Sequence, residues 1–322
     1  MRARFTLLIA LVVAACTPSV ARTPAIAVTG PTGRPPLIVV GVDGFRRSYY
    51  ETDSLPVLHA IGRTGVVSDW MIPSFPTLTF PNFNALATGL YPEYSGIVNN
   101  RFYDPELHAL FALGSASVRE ARWWWGEPIW VTAAKHGDRT GVYFWVGSKA
   151  PIDGDRPTFW KPYDGTVPFD ARVDQVLAWL DLPAARRSAL LIQARDGNNA
   201  APLTRLRRLP HVRVWLKADV PPRLHYNEGP RIPAIVGVAD DGWTIAWRHG
   251  RPLRMRGEHG FDNADTSMRA LFVAHGPAFR AGTTLAAFPN VDVYDLLAHL
   301  LNVPPAPNDG TLAPFVQILR GP

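Results

Sequence analysis

Sulfur is scarce in this chain: one cysteine, Cys16, and four methionines in 322 residues. A lone thiol forms no internal disulfide, so packing by itself must hold the fold. Long apolar runs are missing too. The run from Phe5 to Ala15 is too short to span a bilayer, and no later stretch is a transmembrane candidate. There is no helix-turn-helix, zinc-finger or RNA-binding signature, no Gly-rich P-loop and no internal repeat. No nucleic-acid polymer is therefore expected as a partner. The densest basic run, Arg205 to Lys217, has no interleaved aromatics and reads as a solvated helix face and strand edge. What is plentiful is apolar residue, 47% of the chain, enough for one substantial core.

The N-terminus reads as an export signal. Arg2 and Arg4 precede the apolar run, and Val13-Ala14-Ala15-Cys16 resembles a bacterial lipoprotein box. Cleavage before Cys16 would lipidate that residue, and Thr17 beside it resembles the default that sends lipoproteins to the outer membrane, facing the periplasm. Net charge falls from +6 to +4 once Arg2 and Arg4 leave. The expected division is residues 1–15 as signal peptide, 16–36 as lipidated cysteine and Pro/Thr/Ala/Gly-rich tether, and 37–322 as one catalytic domain.

The domain opens with LIVVGV, Leu37 to Val42, which reads as a fully buried parallel strand delivering Asp43 at its carboxyl end. Ligand and metal sites form at that edge of open α/β sheets, and a carboxylate there suits a divalent cation. The alternative is a turn-forming Asp-Gly. Further on, PSFPTLTFPN predicts a helix from about Thr79 to Thr88, with Pro81 in its first turn and Gly89 as its stop. Thr79 is then either an N-cap or a nucleophile at the positive end of a helix, where free N–H groups favour an alkoxide or a phosphoryl oxygen.

Strands are expected at Thr140–Val146, Ser188–Gln193, Val212–Leu216, Ile235–Ala239 and Leu271–His275, with helices at Phe169–Leu180 and Val291–Leu301. Strands alternating with helices imply a mostly parallel sheet covered on both faces. Trp123, Trp124 and Trp125 read as core or cap-region packing rather than a ligand box, and Asn198 to Arg256 as a small cap.

Taken in order, VGVDGF, PTLTFPN, TGLYPEYSGIVNN, WWWGEPIW, WKPYDGTVPFDARVDQVLAWLDLP, LPHVRVW, RLHYNEGPRI, GEHGFDN, VAHGPAF and NVDVYDLLAHLL resemble the type I phosphodiesterases/nucleotide pyrophosphatases of the alkaline phosphatase superfamily. The resemblance implies a three-layer α/β/α sandwich and hydrolysis of nucleotide phosphodiesters or pyrophosphates by a threonine nucleophile and two zinc ions. It makes Thr79 the nucleophile, Asp43 a ligand beside it, His259 a zinc-binding histidine and Asn100 the donor to a phosphate oxygen. Phe80 and Tyr163 become the aromatic pair that sandwiches the base.

The chain also departs from that pattern. The motifs Pro-Asp-x-x-Gly-His and Ser-Asp-His-Gly, which carry four of the six carboxylate and imidazole ligands, are absent, and no Asp-His pair occurs anywhere. An internal deletion near Ala194–Ala201 is the simplest reading, with Asp196 there a turn residue. Each zinc then lacks the three protein ligands that a catalytic site needs. Turnover is expected to be reduced or lost, and the alternative is a lipoprotein that binds nucleotides without cleaving them.

Overall fold

The computed structural model of the protein describes residues 35–52, 54–180, 189–192 (main chain), 211–243 and 259–321. The signal, Cys16 and most of the tether lie outside these residues, as do Ala194–Ala201 and much of the expected cap.

Four parallel strands make the central sheet. They are β1 (Leu37–Val40), β6 (Thr140–Tyr143), β7 (Phe159–Lys161) and β8 (Ala189–Ile192), in the order β1-β8-β6-β7. Side chains alternate across a strand, and β6 uses both faces. Val142 enters the main core, whereas Tyr143 packs with Val176 of helix α6 (Phe169–Leu180) in a second cluster. The sheet is therefore covered on each side at β6, giving three layers.

The main layer is built from α3 (Thr79–Thr88), α5 (Ile129–Lys135) and α7 (Asp292–Leu301), which pack on one another and, through α5, on β6. Helix α3 is buried almost all round. Ala85 and Ala87 let its neighbours approach closely, and Gly89 ends it at φ 70°, a conformation that costs a side chain strain.

The expected helices at 79–88 and 169–180 and the strands at 212–216 and 235–239 have these bounds in the structure, and β8 falls inside Ser188–Gln193. Others are shorter. Strand β6 stops at Tyr143, because Phe144 turns to φ 66°, and β11 covers only Val273–Ala274. Strands β9 (Val212–Leu216) and β10 (Ile235–Ala239) stay out of the parallel sheet and form an antiparallel pair. Most of the described part of the basic run is β9, where Arg213 is ion-paired to Asp240 and Asp262.

The expectation of a fully buried β1 is corrected. Leu37 and Val39 pack against the core, but Ile38 is 46% and Val40 63% exposed. By register, those two share a face with Tyr143, which α6 covers, while β1 at the sheet edge has no helix over it among the described residues.

Candidate active site

Strand β1 is followed by Asp43-Gly44, with Gly44 at φ 69°, so the chain turns just past the carboxyl edge of the sheet. Asp43 is met there by the start of α3. Leu78, extended, is the N-cap, and Thr79 is the first helical residue, 1% exposed. The N-cap alternative for Thr79 is thereby corrected: Leu78 holds the cap position, and the Thr79 hydroxyl donates to Asp43 Oδ2 at 2.8 Å rather than accepting from a backbone N–H of the first turn. A carboxylate that accepts the hydroxyl proton raises the nucleophilic character of the oxygen.

The loop before α3 is held firmly. Asn82 Nδ2 lies 2.9 to 3.1 Å from the carbonyls of Ser74, Pro76 and Leu78. Asn290 Oδ1 accepts from Ser74 Oγ, and Asn290 Nδ2 donates to Asn82 Oδ1, tying the loop to the start of α7.

Asn100 adjoins the same helix start. The Phe80 N–H donates to its Oδ1 at 2.9 Å, which fixes the amide so that Nδ2 is the remaining donor. That atom is buried and has no partner among the described residues. A buried open donor beside the free end of a helix can take an anionic oxygen.

His259 is brought to the site by Thr77. Its Nδ1 donates to the Thr77 carbonyl at 2.9 Å, and the Gly260 N–H donates to Thr77 Oγ1 at 2.9 Å. Nε2 is left buried and open, as in a metal-binding histidine oriented by a backbone carbonyl. A complete zinc centre does not follow. No group of three or more His, Cys, Asp or Glu side chains placed to hold a metal exists among the described residues, so the described residues do not by themselves make up two catalytic zinc sites.

Phe80 and Tyr163 line one cleft. Phe80 is backed by Phe111 at 5.9 Å and Trp124 at 6.2 Å between ring centroids. Tyr163 lies across the opening beside Phe144, at 5.2 Å. The turn after β6 makes the wall between them: Phe144 and Gly147 both have positive φ, and a Cβ on Gly147 would meet Trp124 at 3.3 Å.

Charges that sequence reasoning passed over brace this site. Arg231 is buried and ion-paired to Asp104. It donates to the carbonyls of Gly96, Trp123 and Arg122, and stacks on Trp125 at 3.9 Å. It locks the loop before Asn100 to the tryptophan segment. Asp262, three residues past His259, is held by Arg223 and Arg213. The Arg223 hydrogen bond is the main cause of a carboxyl pKa lowered to about 2. A single sequence gives no signal for such pairs, because Arg and Asp are ordinarily surface residues.

The sequence model of the family described as type I phosphodiesterase / nucleotide pyrophosphatase matches residues 37–197 and 193–262. The chain belongs to this family. Two relatives of the phosphodiesterase family place it further. The venom phosphodiesterase CdcPDE of Crotalus durissus collilineatus is 32% identical over 387 residues, covering 89% of this chain and 47% of the relative. The Bos taurus ectonucleotide pyrophosphatase/phosphodiesterase family member 3 is 31% identical, covering 89% and 44%. The chain thus spans about half the length of the curated relatives it matches. Among solved structures, murine ectonucleotide pyrophosphatase/phosphodiesterase 5 superposes with a TM-score of 0.82 at 26% identity, covering 88% of this chain and 100% of that one. An inactive form of the murine protein in complex with AMP gives 0.81 at 26% identity, with the same coverage. The alkaline phosphatase-type α/β fold and the nucleotide pyrophosphatase/phosphodiesterase family assignment stand on these matches.

Proposed function

We propose that this chain is a nucleotide-binding phosphodiesterase homologue whose hydrolysis is reduced or lost, with Thr79 as the residue aimed at phosphorus. The observation that carries this reading is the pairing of Thr79 Oγ1 with Asp43 Oδ2 at the buried start of α3, beside the open Nδ2 of Asn100. In that arrangement the base stacks between Phe80 and Tyr163, and Asn100 with the free N–H groups of α3 receives a phosphate oxygen. Asp43 holds the Thr79 proton.

Metal completion is what is missing. Asp43 and Thr79 on one side and His259 on the other leave both zinc positions short of ligands. An internal deletion explains the shortage. The two family-model matches meet at residues 193–197, and the 387 aligned positions of the Crotalus relative exceed the whole 322-residue chain although only 89% of the chain takes part.

Hydrolysis of the p-nitrophenyl ester of thymidine monophosphate, with added zinc, tests the reading. The unaltered chain should differ from Thr79→Ala by less than about tenfold, well short of the rate that nucleophilic catalysis contributes. Robust turnover abolished by that substitution would overturn the loss of activity. Calorimetry with AMP should still show binding, because the aromatic cleft owes nothing to metal. The reading includes a place in the cell, the outer membrane, reached through a lipid on Cys16.

A further inference from the structure

Tyr226 touches both arms of the candidate site. It is 3% exposed, and its ring meets the Phe75 ring edge-on at 5.1 Å between centroids. Phe75 lies in the loop that leads into α3 and presents Thr79. The Tyr226 hydroxyl donates to the carbonyl of Val98 at 2.6 Å. Val98 is fully buried and stands two residues before Asn100. Burial pushes the phenol pKa up, so the hydroxyl stays a donor at any working pH. Tyr226 is itself fixed by the turn that follows it. The buried Glu93 carboxylate accepts from the N–H groups of Asn227 and Glu228 at 2.9 and 2.7 Å, and Lys217 Nζ donates to the carbonyls of Glu228 and Gly229 at 3.0 and 2.7 Å.

The open Nδ2 of Asn100 can take a phosphate oxygen only if the backbone that carries it keeps its distance from the start of α3. The Phe80 N–H orients the Asn100 amide, and the Leu113 N–H donates to the Asn100 carbonyl at 2.8 Å. On the side before Asn100, the Val98 carbonyl is held by Tyr226. A buried carbonyl deprived of its donor turns toward another partner, and Asn100 would turn with it. Tyr226 is not among the residues that line the aromatic cleft, so its effect falls on the phosphate end of the site rather than on the base. We propose that Tyr226 is a positioning residue, which fixes Asn100 against the α3 start and thereby sets the affinity for the phosphate of a nucleotide. This rests on the reading above that Asn100 receives a phosphate oxygen while the base enters between Phe80 and Tyr163.

NMR titration of the full chain with AMP and with adenosine tests it, because the two share base and ribose and differ by the phosphate, and NMR reads weak binding as well as tight. Tyr226→Phe removes the hydroxyl and keeps the ring on Phe75. AMP affinity should fall about tenfold, the size of a hydrogen bond to a charged group, while that of adenosine stays within about twofold. Glu93→Gln, which loosens the turn after Tyr226 and leaves the hydroxyl in place, should lower the ratio of the two affinities by less. Should Tyr226→Phe not fold, Glu93→Gln decides by the same ratio. Tyr94→Phe, which loses a hydrogen bond to Glu228 at the surface, should change neither affinity. Equal losses for AMP and adenosine, the mark of a merely structural residue, or a ratio that the substitutions leave unchanged, would overturn the positioning role while the site reading stands. An unaltered chain that holds AMP no more tightly than adenosine would instead remove the reading of Asn100 as a phosphate donor, and the proposal with it.

Discussion

Asp292 begins α7 almost fully buried, with Asp295 in the same turn, and the Thr311 N–H donates to its Oδ1 at 3.0 Å. Burial, followed by repulsion from Asp295, lifts its pKa from the ordinary 3.8 to about 6. A carboxyl whose folded pKa is raised stabilises the fold while it is protonated. That stability is complete below the ordinary pKa and is lost as pH rises through about 6. The amount is on the order of 3 kcal/mol. Asp292→Asn keeps an acceptor for Thr311 and cannot ionise, so it should gain on the unaltered chain by about that amount between pH 4 and pH 7. Urea unfolding of both proteins across this range reads the difference, and parallel curves would refute the assignment. Asp262 has the opposite sign. Its pKa is lowered to about 2, so the stability it lends is present above the ordinary carboxylate pKa and is lost as pH falls toward 2.

At the scale of elements, what was legible followed local punctuation. Pro81 and Gly89 bracket α3 in the sequence as they do in the structure, and the runs at 212–216 and 235–239 carry their own β pattern. The pairing of those two runs with each other depends on contacts far apart in sequence, and the burial of β1 depends on what lies over it. Neither can be read from a run of apolar residues. The site divides the same way. Asp43 and Thr79 stand out by their places on a strand and a helix, whereas Asn100, His259, Phe80 and Tyr163 follow only from the family resemblance, and Arg231 gives no signal in the sequence. The two faces of β1 give a direct test. Ile38→Thr and Val40→Thr keep a β-branched residue on the open face and should change stability by no more than about 0.5 kcal/mol. Val39→Thr, packed against the core, should cost about 1 to 3 kcal/mol by burying a hydroxyl. Equal losses for all three would mean that the outer face is covered.

Across the whole molecule, the open face of β1 and the exposed Phe169, Val173 and Leu177 on one side of α6 leave apolar surface uncovered. Stability then rests on the main core on one side of the sheet and the small cluster around Tyr143 and Val176 on the other. No described helix is long and apolar enough to cross a membrane; we propose that a lipid on Cys16 attaches the chain. One acyl chain binds a bilayer only weakly and reversibly, whereas a thioether-linked diacylglycerol with a third chain on the new amino terminus holds a protein stably. Expressed in a bacterium, the full chain should therefore partition into the detergent phase of a Triton X-114 extract and carry radiolabelled palmitate. Cys16→Ser should leave it in the aqueous phase, unlabelled and otherwise folded, because Cys16 precedes the domain. Label that persists in Cys16→Ser, or an unaltered chain found only in the aqueous phase, would defeat the lipid anchor and with it the placement at the outer membrane.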